Sequence, residues 1–301
     1  MQPVHPESTR IGWIGTGVMG RSMCSHLLKA GFKTAIYNRS SSKMADLIHL
    51  GATACSDPKQ VALQSDIVFS MVGYPADVES VILGEDGVLA GMAAGGVIVD
   101  MTTSRPGLAQ AISERAKAAD VIALDAPVSG GDIGAREARL SIMVGGDELA
   151  FQALLPIWKL LGGVHVFHGP AGSGQHAKMV NQILIAAGMV GLCEAMLYAK
   201  QSGLDPERVL KSVSSGAAGS WSLTNLTPRI LRDDFAPGFF VDHFVKDLGI
   251  ALEESEKLGL RLQGVVYAKK VYEDLKSMGH GGSGTQSLIL ALAKQNGIDW
   301  K

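Results

Sequence analysis

Residues 10–30 limit more than any other stretch what this 301-residue chain can become. Arg10 to Ile14, RIGWI, is a short apolar strand that runs straight into GTGVMG, Gly15 to Gly20, and then into helix formers as far as Ala30. The first glycine permits a tight turn, the second lets backbone come close to a pyrophosphate, and the third allows the helix to pack tightly. The N-terminus of the following helix attracts phosphates through its unpaired N–H groups and its dipole. A bare GxGxxG also occurs as a purely structural turn. Here it follows a strand and opens a helix, which points to dinucleotide binding by Gly15, Thr16, Gly17, Val18, Met19 and Gly20.

The second strand, Lys33 to Tyr37, ends at Asn38, Arg39 and Ser40. About 20 residues past the fingerprint a dinucleotide domain selects its cofactor: a carboxylate grips the ribose 2′-hydroxyl of NAD, whereas an arginine accommodates the 2′-phosphate of NADP. No acid stands here, and an arginine flanked by two hydrogen-bonding side chains favours NADP through paired, charge-assisted bonds. NAD is kept as the alternative cofactor, with Arg39 then a solvated turn residue.

Strand and helix continue to alternate. Asp66 to Val72 and Val97 to Thr102 are near-continuous apolar runs of the kind a parallel sheet buries on both faces, with helical segments near 76–83 and 105–119. Ligands of such sheets sit outside the carboxyl ends of the strands, which puts Met71, Val72 and Thr102 beside the cofactor. A further strand, Val121 to Asp125, leads into DAPVSGG. Pro127 fixes the turn, and Ser129, Gly130 and Gly131 offer a hydroxyl and consecutive N–H groups, which suits a carboxylate. A plain flexible loop would have the same composition. Leu140 to Val144 reads as a strand, a helix follows from Asp147, and Val164 to Phe167 closes the sheet.

Gly169 to Gln201 then opens with small residues and becomes, from Gln175, a run of helix formers with hardly a charge between Lys178 and Glu194. A helix so apolar is normally buried, and ~25 residues at ~1.5 Å each reach from one domain into another. Lys178 is out of place on such a rod, because desolvating an ammonium costs roughly several kcal/mol unless something compensates. Asn181 and Gln182 follow at helical spacings, so the three polar groups can share one face and form the wall of an active site. The alternative is a lysine that snorkels to solvent at a helix start. A membrane span is not expected, since the uncharged segment Met179 to Cys193 contains Asn181 and Gln182 and falls short of the ~20 apolar residues required.

After Gly203 the expected elements are helices alone: Leu204 to Ser214, Trp221 to Leu231, His243 to Leu258, Leu262 to Met278 and Thr285 to Gln295. Lys246 and Asp247 fall in the first turn of one of them, where their plain interpretation is a solvated charge pair. The expected fold is therefore an α/β Rossmann-type dinucleotide-binding domain, residues 1–168, followed by an all-α domain for substrate and oligomerisation, residues 169–301, which begins with the long helix joining them. A cleft between two such domains is a usual place for a small-molecule site.

Acidic and basic residues nearly balance, 29 against 27, and no basic run with interleaved aromatics occurs, so nucleic-acid binding is not expected. Cys24, Cys55 and Cys193 lack metal-like spacing and read as reduced core thiols, and no metal site is expected. MQPVHPEST shows neither an apolar signal core nor an arginine-rich leader. The expected location is cytoplasmic as written, or the mitochondrial or another organelle matrix if a presequence has been removed.

Four stretches coincide in order and spacing: GTGVMGRSM, DAPVSGG, GSGQHAKMVNQ and KDLGIA. With them the chain resembles, from Ile11 to the last helix, the β-hydroxyacid dehydrogenase family, which includes 3-hydroxyisobutyrate dehydrogenase and the glyoxylate and succinic semialdehyde reductases. It is most similar to the plant-type 3-hydroxyisobutyrate dehydrogenase-like proteins. The resemblance implies that Lys178 is the catalytic acid or base, that Asn181 and the Ser129 to Gly131 segment bind substrate, and that Lys246 reaches the cofactor near its nicotinamide end, next to the substrate. It also implies a homodimer or homotetramer built through the helical domain. Asn38 stands where the NAD-using hydroxyisobutyrate enzymes have aspartate, and Asn-Arg-Ser resembles the NADPH-using reductases. Ala138 stands where the family usually has glycine, and Gln182 replaces a frequent second asparagine, a change expected to matter little.

The expected reaction is NADPH-dependent reduction of a small aldehyde acid, glyoxylate or succinic semialdehyde, to its hydroxy acid. Lys178 donates the proton, so burial must lower its pKa from ~10.4 toward ~7 to 8. The first alternative is oxidation of 3-hydroxyisobutyrate or a related 3-hydroxy acid. A non-catalytic dinucleotide-binding scaffold is the second, and the retention of Lys178, Asn181 and Ser129 argues against it. Decarboxylating 6-phosphogluconate dehydrogenase has similar loops but a much longer helical domain.

Overall fold

The computed structural model describes residues 4–300. They form two compact units, one ending at Lys178 and one starting at Met179, so the division falls inside the long helix rather than ahead of it.

In the first unit the chain runs β1 (Arg10–Ile14), α1 (Val18–Lys29), β2 (Lys33–Tyr37), α2 (Ala45–His49), β3 (Thr53–Ala54), α3 (Pro58–Leu63), β4 (Ile67–Ser70) and α4 (Pro75–Leu83). It continues through β5 (Val97–Asp100), α5 (Pro106–Ala118), β6 (Ile122–Asp125), β7 (Val128–Ser129) and α6 (Gly131–Arg136). Then follow β8 (Ser141–Gly145), α7 (Glu148–Ala153), α8 (Leu155–Leu161), β9 (Val164–Gly169) and the start of α9 (Ser173–Gln201). The strands lie in the order β3-β2-β1-β4-β5-β6-β8-β7, with β9 on β8. From β3 to β6 every pairing is parallel, which is the doubly wound order whose switch point lies between β1 and β4. β8 is antiparallel to β6 and β7 and parallel to β9.

The central strands read as unbroken apolar runs because both of their faces are covered. Ile11, Trp13, Ile67, Phe69, Val97 and Val99 enter one core, while Ile14, Val68 and Ile98, pointing the other way, enter a second. Trp13 stacks on Phe69 at 5.6 Å, and its indole Nε1–H donates to Gly15 O at 2.9 Å, so the core itself braces the glycine turn. The strand registers put Tyr37, Ile14, Ser70, Asp100 and Asp125 in one row across β2, β1, β4, β5 and β6. That row is the carboxyl edge of the sheet, where ligands of this fold bind.

α9 has 29 residues and is about 43 Å long. By length and composition it is the one helix among the described residues able to cross a membrane. Its apolarity has a packing use, since Ala186, Met189, Leu192, Cys193 and Met196 are buried in the core of the second unit. That unit comprises the rest of α9 with α10 (Pro206–Val213), α11 (Trp221–Leu231), α12 (Val241–Lys257), α13 (Gln263–Leu275) and α14 (Leu288–Gln295). Phe244 meets Tyr272 edge-on at 4.9 Å in its centre, and the Tyr272 hydroxyl donates to Thr285 O. The three cysteines are free, and burial pushes the Cys24 and Cys193 thiols up, which keeps them unreactive.

Candidate active site

The glycine turn is shaped by what it excludes. Gly15 has φ +90°, and a Cβ there would lie 2.2 Å from Met71 O; a Cβ on Gly20 would lie 1.9 Å from Gly15 O. Neither position accepts a side chain. Gly17 differs: the space around it is open to 4 Å among the described residues. Gly17 also ends the approach to α1, where no side chain caps the helix and no acid occupies the first turn. The orphan N–H groups of that turn therefore face an open, uncharged position, which fits a dinucleotide pyrophosphate. Val18 is exposed and Met19 packs against the core beneath.

Thr16 and Asn38 tie the turn to the end of β2. Asn38 Oδ1 accepts the Thr16 N–H at 2.9 Å, Asn38 Nδ2 donates to Ser40 O at 2.9 Å, and the Thr16 hydroxyl donates to Lys43 O. Asn38 thus uses both ends of its amide as a brace. Arg39 beside it is 88% exposed and its ion pair with Asp77 is long, at 3.5 Å; Ser40 is also exposed.

Across the switch point the end of β5 is built around Asp100. Its carboxylate accepts the Ser70 hydroxyl and the Thr102 N–H, while Thr102 Oγ1 accepts the Val72 N–H at 3.0 Å. Burial pushes the Asp100 carboxyl up to about 6, partly offset by hydrogen bonds from Thr102 and Ser70. Met71 N–H donates to Ile14 O. Thr102 is buried and its side chain organises the edge of the sheet.

From β6 onward the site turns to α9. Ser129 pairs with Ser141 in the short β7, and Gly130 and Gly131 follow with φ +132° and +63° at the entrance to α6. Gln175, fully buried in the first turn of α9, holds the β5 loop: its Nε2 donates to Thr102 O at 2.8 Å and its Oε1 accepts the Ser104 N–H at 2.9 Å. One turn later Lys178 is 6% exposed, and its Nζ donates to Val128 O at 2.9 Å. The amine does not snorkel. It stands beside the segment that carries Ser129, Gly130 and Gly131.

In the second unit Asn181, Gln182, Lys246 and Asp247 form a group. Asn181 Nδ2 donates to Gln182 Oε1 at 2.7 Å, Gln182 Nε2 donates to Asp247 Oδ2 at 2.5 Å, and Lys246 Nζ pairs with Asp247 Oδ1 at 2.9 Å. Asp247 is 1% exposed and Lys246 13%, so this pair is enclosed rather than solvated. Gln182, also buried, carries more than its substitution for asparagine suggested, because its length spans Asn181 and Asp247.

Sequence reasoning gave no site role to Asp100, Asp125 or Gln175, and it read Asp247 with Lys246 as a solvated pair, whereas Asp247 is enclosed. A signal existed for the first two, since an aspartate closing an apolar parallel strand, as in VIVD and IALD, sits at the ligand-binding edge. Gln175 was visible as a polar residue three positions before Lys178 on the same helix.

This fold and edge define a dinucleotide-dependent oxidoreductase, and comparison with known proteins narrows the class. Residues 10–169 match the family described as the NAD binding domain of 6-phosphogluconate dehydrogenase, and residues 172–292 that described as NAD-binding of NADP-dependent 3-hydroxyisobutyrate dehydrogenase. The chain is 51% identical to the Arabidopsis thaliana protein named "Probable 3-hydroxyisobutyrate dehydrogenase-like 1, mitochondrial", over 98% of this chain and 88% of the relative. It is 36% identical to the 2-hydroxy-3-oxopropionate reductase of Escherichia coli, over 94% and 97%. The crystal structure of 3-hydroxyisobutyrate dehydrogenase from Salmonella typhimurium superposes with a TM-score of 0.85 at 27% identity, covering 94% of this chain and 99% of that one. The chain belongs to the β-hydroxyacid dehydrogenase family and is an NAD(P)-dependent oxidoreductase acting on CH–OH groups.

Proposed function

We propose that the protein reduces a small aldehyde acid, glyoxylate or succinic semialdehyde, to its hydroxy acid with NADPH. The observation that carries the reading is the amine of Lys178, removed from solvent and held 2.9 Å from Val128 O, beside a serine and two glycines suited to a carboxylate. NADPH, when bound, supplies the hydride. Lys178 gives a proton to the carbonyl oxygen and, in the reverse direction, takes it back. Ser129 and the N–H groups of Gly130 and Gly131 hold the substrate carboxylate. Asn181 orients the substrate, and Lys246 serves the nicotinamide end of the cofactor.

The cofactor cradle of this reading is Gly15 to Gly20, Asn38 to Ser40, Met71, Val72 and Thr102. NADPH is favoured over NADH because Arg39 is exposed and its pairing with Asp77 is loose and screened, so the guanidinium is free to turn to a 2′-phosphate at little cost. The name of the Escherichia coli relative, a reductase of a hydroxy-oxo acid, supports the direction and substrate class. Oxidation of 3-hydroxyisobutyrate or a related 3-hydroxy acid is the second reading, favoured by the names of the Arabidopsis and Salmonella proteins. Neither reading calls for a nucleic-acid or membrane partner. A homo-oligomer is supported by a row of exposed apolar residues along α9, among them Val180, Leu184 and Tyr198. The word "mitochondrial" in the Arabidopsis name supports an organelle matrix as a location alongside the cytoplasm.

An initial-rate panel separates the readings: NADPH and NADH with glyoxylate, succinic semialdehyde and, in reverse, 3-hydroxyisobutyrate. The expected result is fastest turnover of an aldehyde acid, with kcat/KM about tenfold or more higher for NADPH than for NADH. Arg39→Ala is expected to remove most of that preference. Fastest turnover of 3-hydroxyisobutyrate would establish the second reading, and an unchanged preference in Arg39→Ala would make Arg39 a surface residue only.

A further inference from the structure

Asp125, the last residue of β6, is 3% exposed, and among the described residues its hydrogen-bond partners are backbone N–H groups. Its Oδ1 accepts the Gly172 N–H and its Oδ2 the Gln175 N–H, each at 2.8 Å, and the Gly174 N–H also bonds to it. These donors belong to the turn before α9 and to its first turn, which by helix geometry have no acceptor inside the helix. One carboxylate on the sheet therefore closes the start of a 29-residue helix, with its charge at the positive end of the helix dipole.

The contact leaves no slack. A Cβ on Gly145 would lie 2.7 Å from Asp125 Oδ1, and a Cβ on Gly174 would lie 2.4 Å from Met143 O and 2.6 Å from Asp125 O. The first turn of α9 is thus seated directly on β6 and β8. Val128, three residues beyond Asp125, supplies the carbonyl that accepts Lys178 Nζ. The segment from Asp125 to Ser129 accordingly sets both the start of the helix and the position of its amine.

We infer that Asp125 is a positioning residue for proton transfer: by fixing the first turn of α9 it fixes where Lys178 Nζ stands relative to Ser129. The inference rests on the reading of Lys178 as the proton donor. An aspartate is required because two acceptor oxygens meet several N–H donors. Asparagine would turn an N–H₂ toward another N–H and leave a buried donor unmatched. Glutamate keeps both oxygens but pushes the helix away from the strand by about one bond length. Misplacement on that scale costs about 10–100-fold in the chemical step.

The test compares Asp125→Asn and Asp125→Glu with Lys178→Ala and with Ile157→Ala, a truncation of a buried core residue on α8, and the thermal midpoint of each is measured so that loss of stability alone is controlled for. kcat, KM and the NADPH dissociation constant are measured for each. Positioning gives a kcat lower by about 10–100-fold in both Asp125 variants with KM and NADPH affinity within about threefold, and near-normal kcat in Ile157→Ala. Wild-type kcat in either Asp125 variant overturns the inference. So does an equal loss of kcat in Ile157→Ala, or a loss that appears in KM and NADPH affinity instead. If Lys178→Ala itself turns over normally, the assignment of the proton donor fails and the inference falls with it, whereas loss of turnover in Lys178→Ala with wild-type kcat in the Asp125 variants overturns the inference alone.

Discussion

At the scale of single residues, the sharpest departure from ordinary chemistry is Asp100. Burial pushes its carboxyl from the usual 3.8 up to about 6, against the pull of hydrogen bonds from Thr102 and Ser70. The folded chain thus holds this proton more tightly than the unfolded one. The stability it contributes is fully present below about 3.8 and is lost as pH rises through about 6. Asp100→Asn cannot ionise, so its unfolding free energy relative to wild type should gain up to about 3 kcal/mol on going from pH 4 to pH 7.5. Urea unfolding of both proteins across that range checks it, and parallel stability profiles would contradict it. Ala138 shows what sequence can and cannot convey here. Its departure from the family's glycine is visible in the chain, but only the structure reveals φ +53°, the left-handed backbone that makes glycine the comfortable choice. Asp125 was legible as the start of a motif, and its use as an anchor for the start of α9 was not, because the partners are backbone groups far along the chain.

Among elements, the β1–turn–α1 unit was readable almost to the residue, since strand, glycines and helix each have a local cause. The structure adds a division of labour between the glycines. Gly20 is glycine because α1 would otherwise collide with Gly15 O, whereas Gly17 is glycine with open space around it. Gly20→Ala should therefore destabilise the first unit by about 2–4 kcal/mol. Gly17→Ala should fold with a thermal midpoint close to wild type and yet bind NADPH about tenfold or more weakly. Thermal unfolding beside NADPH fluorescence titration separates the two, and a Gly17→Ala protein with unaltered NADPH affinity would show that no phosphate meets that turn. The longer helices were also legible, α11 with its observed bounds. The pieces α2, α3, α6, β3 and β7 were not, because stretches of two to six residues hold too little of either period to register.

For the whole molecule, the order α/β first and helices afterwards follows from strands ceasing after β9, a change of pattern plain in the sequence. Where one unit gives way to the next was not plain, since α9 is a single uninterrupted helix across the division. Its apolar character also suits two different duties, core packing at Ala186 to Met196 and an exposed row at Val180, Leu184 and Tyr198, and composition does not distinguish them. Under the proposed function, the fold serves the chemistry by carrying the buried Lys178 on the helix whose start is anchored to the sheet's carboxyl edge. The most direct measurement is single-turnover reduction by Lys178→Ala. The enzyme reading requires the chemical step to fall by about 10²–10⁴-fold while NADPH still binds with near wild-type affinity. Hydride transfer at the wild-type rate in that variant would contradict it.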